Sequence, residues 1–339
     1  SSLSRGKHFL TATAKVTYRG RTGFASNRVR LEDADVRATR RILQRSYYLA
    51  AMQVLDAAPP WGALSGVRPT KLSTRCLSGG GSEKDAERLL RETYFVSPAR
   101  AKLCVDASRH TIEAAKLLDP DDLSVYIGIP FCPTRCAYCS FSSGEIGDGR
   151  LVEPYMAALL HEIEACAEMA REMGLHIRVG YIGGGTPSSL TTPQLDHLLA
   201  HVERHFGALA EFTVEAGRPD TLDAQKLRML RDHPVTRISI NPQTMNDATL
   251  TRIGRAHTAK QTVEAYELAR SIGFDDINMD VIAALPGEDY AMFAHTLAEI
   301  RRLRPESLTV HTLAIKRSSR LHEEKYAQAE QDVARMVAL

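Results

Sequence analysis

The sequence has no excess of charge of either sign: 43 Lys and Arg stand against 41 Asp and Glu, a net of +2. That balance argues against a dedicated nucleic-acid surface, which shows as a basic excess or stripe. Local basic runs occur at 37–45 and 301–304, and the first, in a helical pattern, reads as a solvated helix face. No run of 18 apolar residues occurs, so no membrane span is expected. No signal-peptide pattern is visible either. A disulfide framework is missing too. Of six cysteines, Cys76, Cys104 and Cys166 are scattered and read as small apolar side chains, while the other three fall within eight residues. Such usage suits metal or cluster ligation in a reducing compartment, and a cytoplasmic location is expected. The chain begins at Ser1, and Leu339 falls inside a helical pattern, which gives the expectation of a piece of a longer polypeptide.

What is present is 44% apolar residues, enough for a sizeable core, in a length that suits one large domain with a smaller one. Residues 8–29 alternate in short strand-like segments. Residues 33–56, 83–92 and 98–117 carry helical spacing, and 61–71 (WGALSGVRPTK) reads as an ordered loop. The Asp-Pro-Asp-Asp run at 119–122 marks a boundary, giving a first domain over about 1–120 and a second over 121–339. From 123 onward strand-like segments at 125–129, 179–182, 211–215, 237–240, 276–282 and 307–313 alternate with helical ones at 152–173, 192–206, 221–232, 258–272, 290–303 and 320–339. Six β/α units in a row imply a parallel sheet with right-handed crossovers. The expected fold is therefore α/β: a partial (β/α)6 barrel preceded by a smaller, mostly helical α+β domain. Chemistry in such barrels sits at the C-terminal ends of the strands.

The first strand runs directly into the segment 126–141, YIGIPFCPTRCAYCSF. Cys132, Cys136 and Cys139 are spaced C-x3-C-x2-C on a loop with Pro130 and Pro133. Three thiolates can occupy three corners of a four-iron cluster and leave one iron open, as an open position is left in catalytic metal sites. The alternative is zinc, which wants four N or S ligands. The nearest further candidates are His161 and Cys166, neither of them paired close to the loop. The second strand ends in Gly183-Gly184-Gly185-Thr186-Pro187, where glycines permit close backbone approach and positive φ. It is not a dinucleotide fingerprint, since the G-x-G-x-x-G order is absent, and alone it reads first as a generic strand-to-helix turn. Glu215, Gln243, Arg255 and Asp280 fall in or beside later strands. Burial there is costly unless they face a ligand or pair among themselves, for instance as Glu215 with Arg255.

The cysteine loop with its flanks, together with YIGGGTPSSL, FTVEAGRPD, ISINPQTM and LPGE, resembles the radical S-adenosylmethionine (SAM) superfamily. Within it, these strings resemble the oxygen-independent coproporphyrinogen III dehydrogenase family from about residue 40 to the end. WGALSGVRPTK looks like the HemZ branch. The classical branch has a fourth cysteine two positions after the third; here that position is Phe141 and not cysteine, as in the HemZ-like and HemW-like branches. The resemblance implies a [4Fe–4S] cluster on Cys132, Cys136 and Cys139, with SAM chelated to the open iron and cleaved by one electron to a 5′-deoxyadenosyl radical. Carried over by position, the family's SAM contacts fall on Tyr126, Tyr138, Gly184, Gly185, Thr186, Glu215, Gln243, Arg255 and Asp280, and more loosely on Leu313. The implied reaction is oxidative decarboxylation of coproporphyrinogen III propionates to vinyl groups, giving protoporphyrinogen IX. The implied partners are a tetrapyrrole and an electron donor such as flavodoxin or ferredoxin. Arg135, Arg218, Lys316 and Arg317 are candidates to meet the propionates. A haem-binding chaperone on the same core is the alternative. The resemblance also implies a C-terminal domain that helps cover the substrate, and the expectation is that it is missing from a sequence ending at Leu339.

Overall fold

A computed structural model describes residues 1–64, 68–326, 333, 335 and 336. The chain divides into two compact units, Ser1–Asp119 and Pro120–Leu339.

In the first unit, β1 (Ser2–Arg5), β2 (Phe9–Tyr18) and β3 (Arg21–Arg30) form an antiparallel sheet in that order. Helix α1 (Val36–Ala51), capped by Asp35, lies on β2 and β3. The approach is close: a Cβ on Gly23 of β3 would sit 2.1 Å from the carbonyl oxygen of Ala50. Buried Ser46 joins the two layers, donating to the Ala12 carbonyl at 2.9 Å. Helices α2 (Thr70–Ser78), α3 (Glu83–Arg88) and α4 (Pro98–Ala115) pack around Leu90, Val96, Ala101 and Cys104. Two of these elements depart from the sequence reading. The short β1 is exposed throughout and carries no alternation. Helix α2 begins within the segment read as a loop. Residues 65–67 of that segment lie outside the described residues.

The second unit is a six-stranded parallel sheet. Its strands are β4 (Asp122–Ile129), β7 (His176–Gly184), β8 (Glu211–Glu215), β9 (Arg237–Ser239), β10 (Ile277–Ala283) and β11 (Ser307–Thr312), each beside the next in the sequence. The short pair β5 (Phe131–Cys132) and β6 (Gly144–Glu145) follows β4 and lies apart from this sheet. The strands never double back, so no switch point arises. The polar strand ends collect on one rim, as in a partial barrel.

The intervening helices are α5 (Val152–Glu172), α6 (Thr192–Phe206), α7 (Ala224–Asp232), α8 (Asp247–Arg252), α9 (Ala259–Ile272) and α10 (Tyr290–Leu303), with α11 (Arg320–Glu323) after β11. Their ends are encoded locally. Thr191 with Gln194 and Thr258 with Gln261 form capping boxes, while Gly207 and Gly273 take positive φ just past the ends of α6 and α9. The core between sheet and helices holds Ile182, Leu198, Phe212, Val214, Ile238 and Met279, all fully buried. The short α8 is absent from the sequence reading. The helix expected over 320–339 is interrupted at once, because Lys325 adopts φ of 52°. Residues 327–332, 334 and 337–339 of that expectation lie outside the described residues.

Candidate active site

Phe131 and Cys132 leave β4 through Pro130 and pair with Gly144 and Glu145, which closes the cysteine segment into a loop. Three parts of the chain hold that loop. The amide of Ala137 donates to the Ile253 carbonyl at 2.9 Å, and the hydroxyl of Thr134 to the Gly254 carbonyl at 2.8 Å. The amide of Leu321 donates to the Ala137 carbonyl at 3.0 Å. Arg135 donates to the Ser318 carbonyl at 3.0 Å. From the turn after β8, Arg218 donates to both oxygens of Thr134. A loop tied at this many points is preorganised, as a rigid ligand set requires.

The glycine segment fits against this loop without room for side chains. The amides of Gly185 and Thr186 donate to the carbonyls of Ile129 and Phe131, each at 2.7 Å. Gly184 has φ of 108°, and a Cβ on Gly185 would lie 2.6 Å from the Phe131 oxygen and 3.0 Å from Cys132 Sγ. The Thr186 hydroxyl reaches Cys132 Sγ at 3.5 Å. Buried Lys226 supports the following turn by donating to the carbonyls of Ser188, Leu190 and Thr221. The glycines serve close approach, not flexibility.

These parts surround one cavity of about 410 Å³. Its wall includes Cys132, Cys136, Cys139, Tyr138, Gly184, Gly185, Thr186, Glu215, Gln243, Arg255, Asp280 and Leu313. Tyr126 is not on that wall. It is largely exposed and stacks on Tyr181, ring centroids 5.6 Å apart. Gln243 rejoins the sheet beside Val281 with φ of 66°, a strained backbone for a non-glycine residue, held by its amide bond to the Asp280 carbonyl at 2.9 Å. Leu313 is buried and bonded to the Ala283 carbonyl at 3.0 Å.

The polar groups do not cancel one another. Among the described residues no ion pair joins Glu215 to Arg255. Glu215 accepts from the Tyr181 hydroxyl at 2.8 Å, and Arg255 donates to the Asn241 carbonyl at 2.6 Å. Burial raises the Glu215 carboxyl, with the Tyr181 bond opposing the shift and the nearby charge of Asp280 adding to it. Asn241 and Ser143, also on the wall, carry no weight as ligands in the motif reading. Asn241 directly follows the last apolar residue of its strand segment, a position that could have flagged it.

Arg218 is 2% exposed and spent inside the protein. It binds Asp220 at 3.2 and 3.1 Å, and His257 lies 3.5 Å from the same carboxylate. It is therefore not free to meet a propionate. Lys316 and Arg317 are exposed and lie off the wall; Arg135 is on it.

Three observations test whether a cluster and SAM fit here. The three thiols are free of disulfides and face one space. The glycine cradle admits nothing larger than backbone on its inner side. Two buried polar atoms on the wall, Asn241 Oδ1 and Arg255 Nε, have no hydrogen-bond partner among the described residues, and groups of that kind call for a polar ligand. The residues fit.

A parallel partial barrel whose strand-end cavity is lined by C-x3-C-x2-C thiols defines a class of cluster-bearing enzyme folds. The model of the radical SAM superfamily matches residues 126–300, more than half of the chain, and the chain belongs to that superfamily. The superfamily's cofactors are a [4Fe–4S] cluster and SAM. The chain is 42% identical over 272 residues to the oxygen-independent coproporphyrinogen-III oxidase-like protein HemZ of Bacillus subtilis, covering 78% of this chain and 54% of that protein. It is 37% identical over 195 residues to the heme chaperone HemW of Bacillus subtilis, covering 57% and 50%. Coproporphyrinogen III oxidase (HemN) from Escherichia coli, a radical SAM enzyme, superposes with a TM-score of 0.60 at 26% identity, over 68% of this chain and 54% of that one. The chain spans about half the length of the curated relatives it matches.

Proposed function

We propose that this chain carries out oxygen-independent oxidative decarboxylation of coproporphyrinogen III propionates, giving protoporphyrinogen IX. The observation that carries the reading is the single cavity shared by the three cysteines, the glycine cradle and the unpartnered Asn241 and Arg255 atoms. Its reach into tetrapyrrole chemistry is supported by the HemZ match, which runs 77 residues further than the 195 shared with HemW (272 against 195). In this reading Cys132, Cys136 and Cys139 hold the cluster. Tyr138, Gly184, Gly185, Thr186, Glu215, Gln243, Arg255, Asp280 and Leu313 contact SAM, and Tyr126 contributes from beside Tyr181. The bound cofactors supply the reductive cleavage that starts hydrogen abstraction.

The chain's own residues do the remaining work. The Gly184–Gly185 backbone accepts a ligand's polar end at close range, and Arg255, fixed on the Asn241 carbonyl, presents its unpaired Nε. Glu215 keeps a negative charge only at the cost of burial, which favours a ligand that offers donors. Ile282 and Leu313 exclude water from one side of the cavity. Arg135 on the wall meets a propionate, and the electron comes from a flavodoxin- or ferredoxin-like donor.

The test is anaerobic incubation of the reconstituted chain with SAM, a strong reductant and coproporphyrinogen III. Decarboxylated porphyrin together with 5′-deoxyadenosine is the expected result. Deoxyadenosine without decarboxylation, in a protein that binds haem tightly, would move the reading to the chaperone role that the HemW likeness favours.

A further inference from the structure

Helix α6 carries His197, His201 and His205, one per turn, so all three share a stripe. Two of them meet Glu164 of the neighbouring α5. His201 Nε2 lies 3.5 Å from Glu164 Oε1, and His205 Nε2 lies 3.7 Å from the same oxygen. The two imidazole centroids are 4.3 Å apart. One ligand atom from each of the three residues lies within 4.8 Å of the others. None of them borders the cysteine cavity.

These separations have a chemical meaning. Two donor atoms on a tetrahedral zinc ion, with bonds of about 2.0–2.1 Å, stand roughly 3.3–3.4 Å apart. The measured 3.5 and 3.7 Å differ from that by a few tenths of an ångström. The geometry points to a second metal site, unrelated to the cluster, in which Glu164, His201 and His205 bind a divalent zinc-like ion between α5 and α6. Two imidazoles and one carboxylate suit zinc, whereas calcium and magnesium call for oxygen ligands. Three protein ligands leave a fourth position open to water.

The surroundings suit the assignment. Burial of His201 holds its imidazole towards the neutral form, which is the form that ligates. His201 Nε2 also lies 3.0 Å from the Leu160 carbonyl. Turning to a metal gives up that contact, while Leu160 keeps its place in the α5 ladder. Helix α5 precedes β7 and α6 follows it, so the ion staples together the two helices that flank the strand ending in the glycine cradle.

The experiment is a calorimetric titration of Zn²⁺ into protein already loaded with its iron–sulfur cluster, which occupies the cysteines. One equivalent is expected to bind and to raise the melting temperature. In E164Q and in H205Q the affinity should fall by more than about tenfold, the loss that removal of even an outer partner causes. Both residues are solvent-accessible, so these variants leave the fold intact; His201, which is buried, is left unchanged. X-ray absorption at the zinc edge is the second measurement. A shell of N and O at about 2.0–2.1 Å is expected, whereas sulfur at about 2.3 Å would put the ion on cysteine and overturn the site. Absence of binding, or binding unchanged in both variants, would overturn it equally.

Discussion

Arg218 donates from one nitrogen to both the carbonyl (3.2 Å) and the hydroxyl (2.8 Å) of Thr134, so the turn after β8 grips the loop between Cys132 and Cys136. The grip is itself anchored by Asp220 and His257. Replacing Arg218 by Met strands Thr134 and a largely buried carboxylate together. A loss of about 3 kcal/mol is expected, the low end for breaking a buried pair. Urea melts would measure it. Iron content after reconstitution should fall with it, and undiminished iron in a destabilised R218M protein would show that the loop needs no such grip.

Cys136→Ala removes one of the three proposed cluster ligands. The reconstituted variant should lose the broad visible absorbance of the cluster and all deoxyadenosine production, with its circular dichroism unchanged. Retained absorbance would assign the iron to other residues.

Gly185→Ala places a methyl 2.6 Å from the Phe131 carbonyl and 2.9 Å from that of Ile129, both backbone atoms that cannot swing away. The cost should be about 1–3 kcal/mol of strain. SAM binding, followed by equilibrium dialysis, should weaken more than stability does. Equal SAM affinity in the variant would exclude the cradle from the binding site.

His233 sits between Asp196, at 3.0 Å, and Glu203. Burial works against its charge, but hydrogen bonds to the two carboxylates outweigh burial and raise its pKa. A raised folded value means stability that is fully present below the ordinary histidine range of about 6.5, and lost as pH climbs through the folded value. The melting temperature of the native chain should therefore exceed that of H233Q at pH 5.5, and the gap should narrow by pH 8.5. A gap that widens with pH would reverse the assignment.

The sheet was legible because each β/α unit repeats the same change of period, and helices such as α6 and α10 announce their starts by Thr191 and Asp289. The less regular pieces were not. Strand β9 ends at Ser239, and Gln243 returns to the sheet by a positive-φ backbone that no periodicity encodes. Helix α8 has only six residues, too few to establish a stripe. At the site, cysteine spacing and the glycine run marked the cavity. The internal use of Arg218 could not be read, because an arginine that ties two loops and one that greets an anion look alike until their neighbours are placed. The same is true of Glu215, whose partner is Tyr181 two strand positions before the glycines and not Arg255.

The cavity wall begins at Cys132 and ends at Ala314. Leu313 reaches its place only when β11 has been laid beside β10. The three thiols lie on the loop after β4, yet the enclosure around them is complete only with β11 in register beside β10. A cluster held by the three cysteines with β11 out of register would lack the wall that Leu313 supplies.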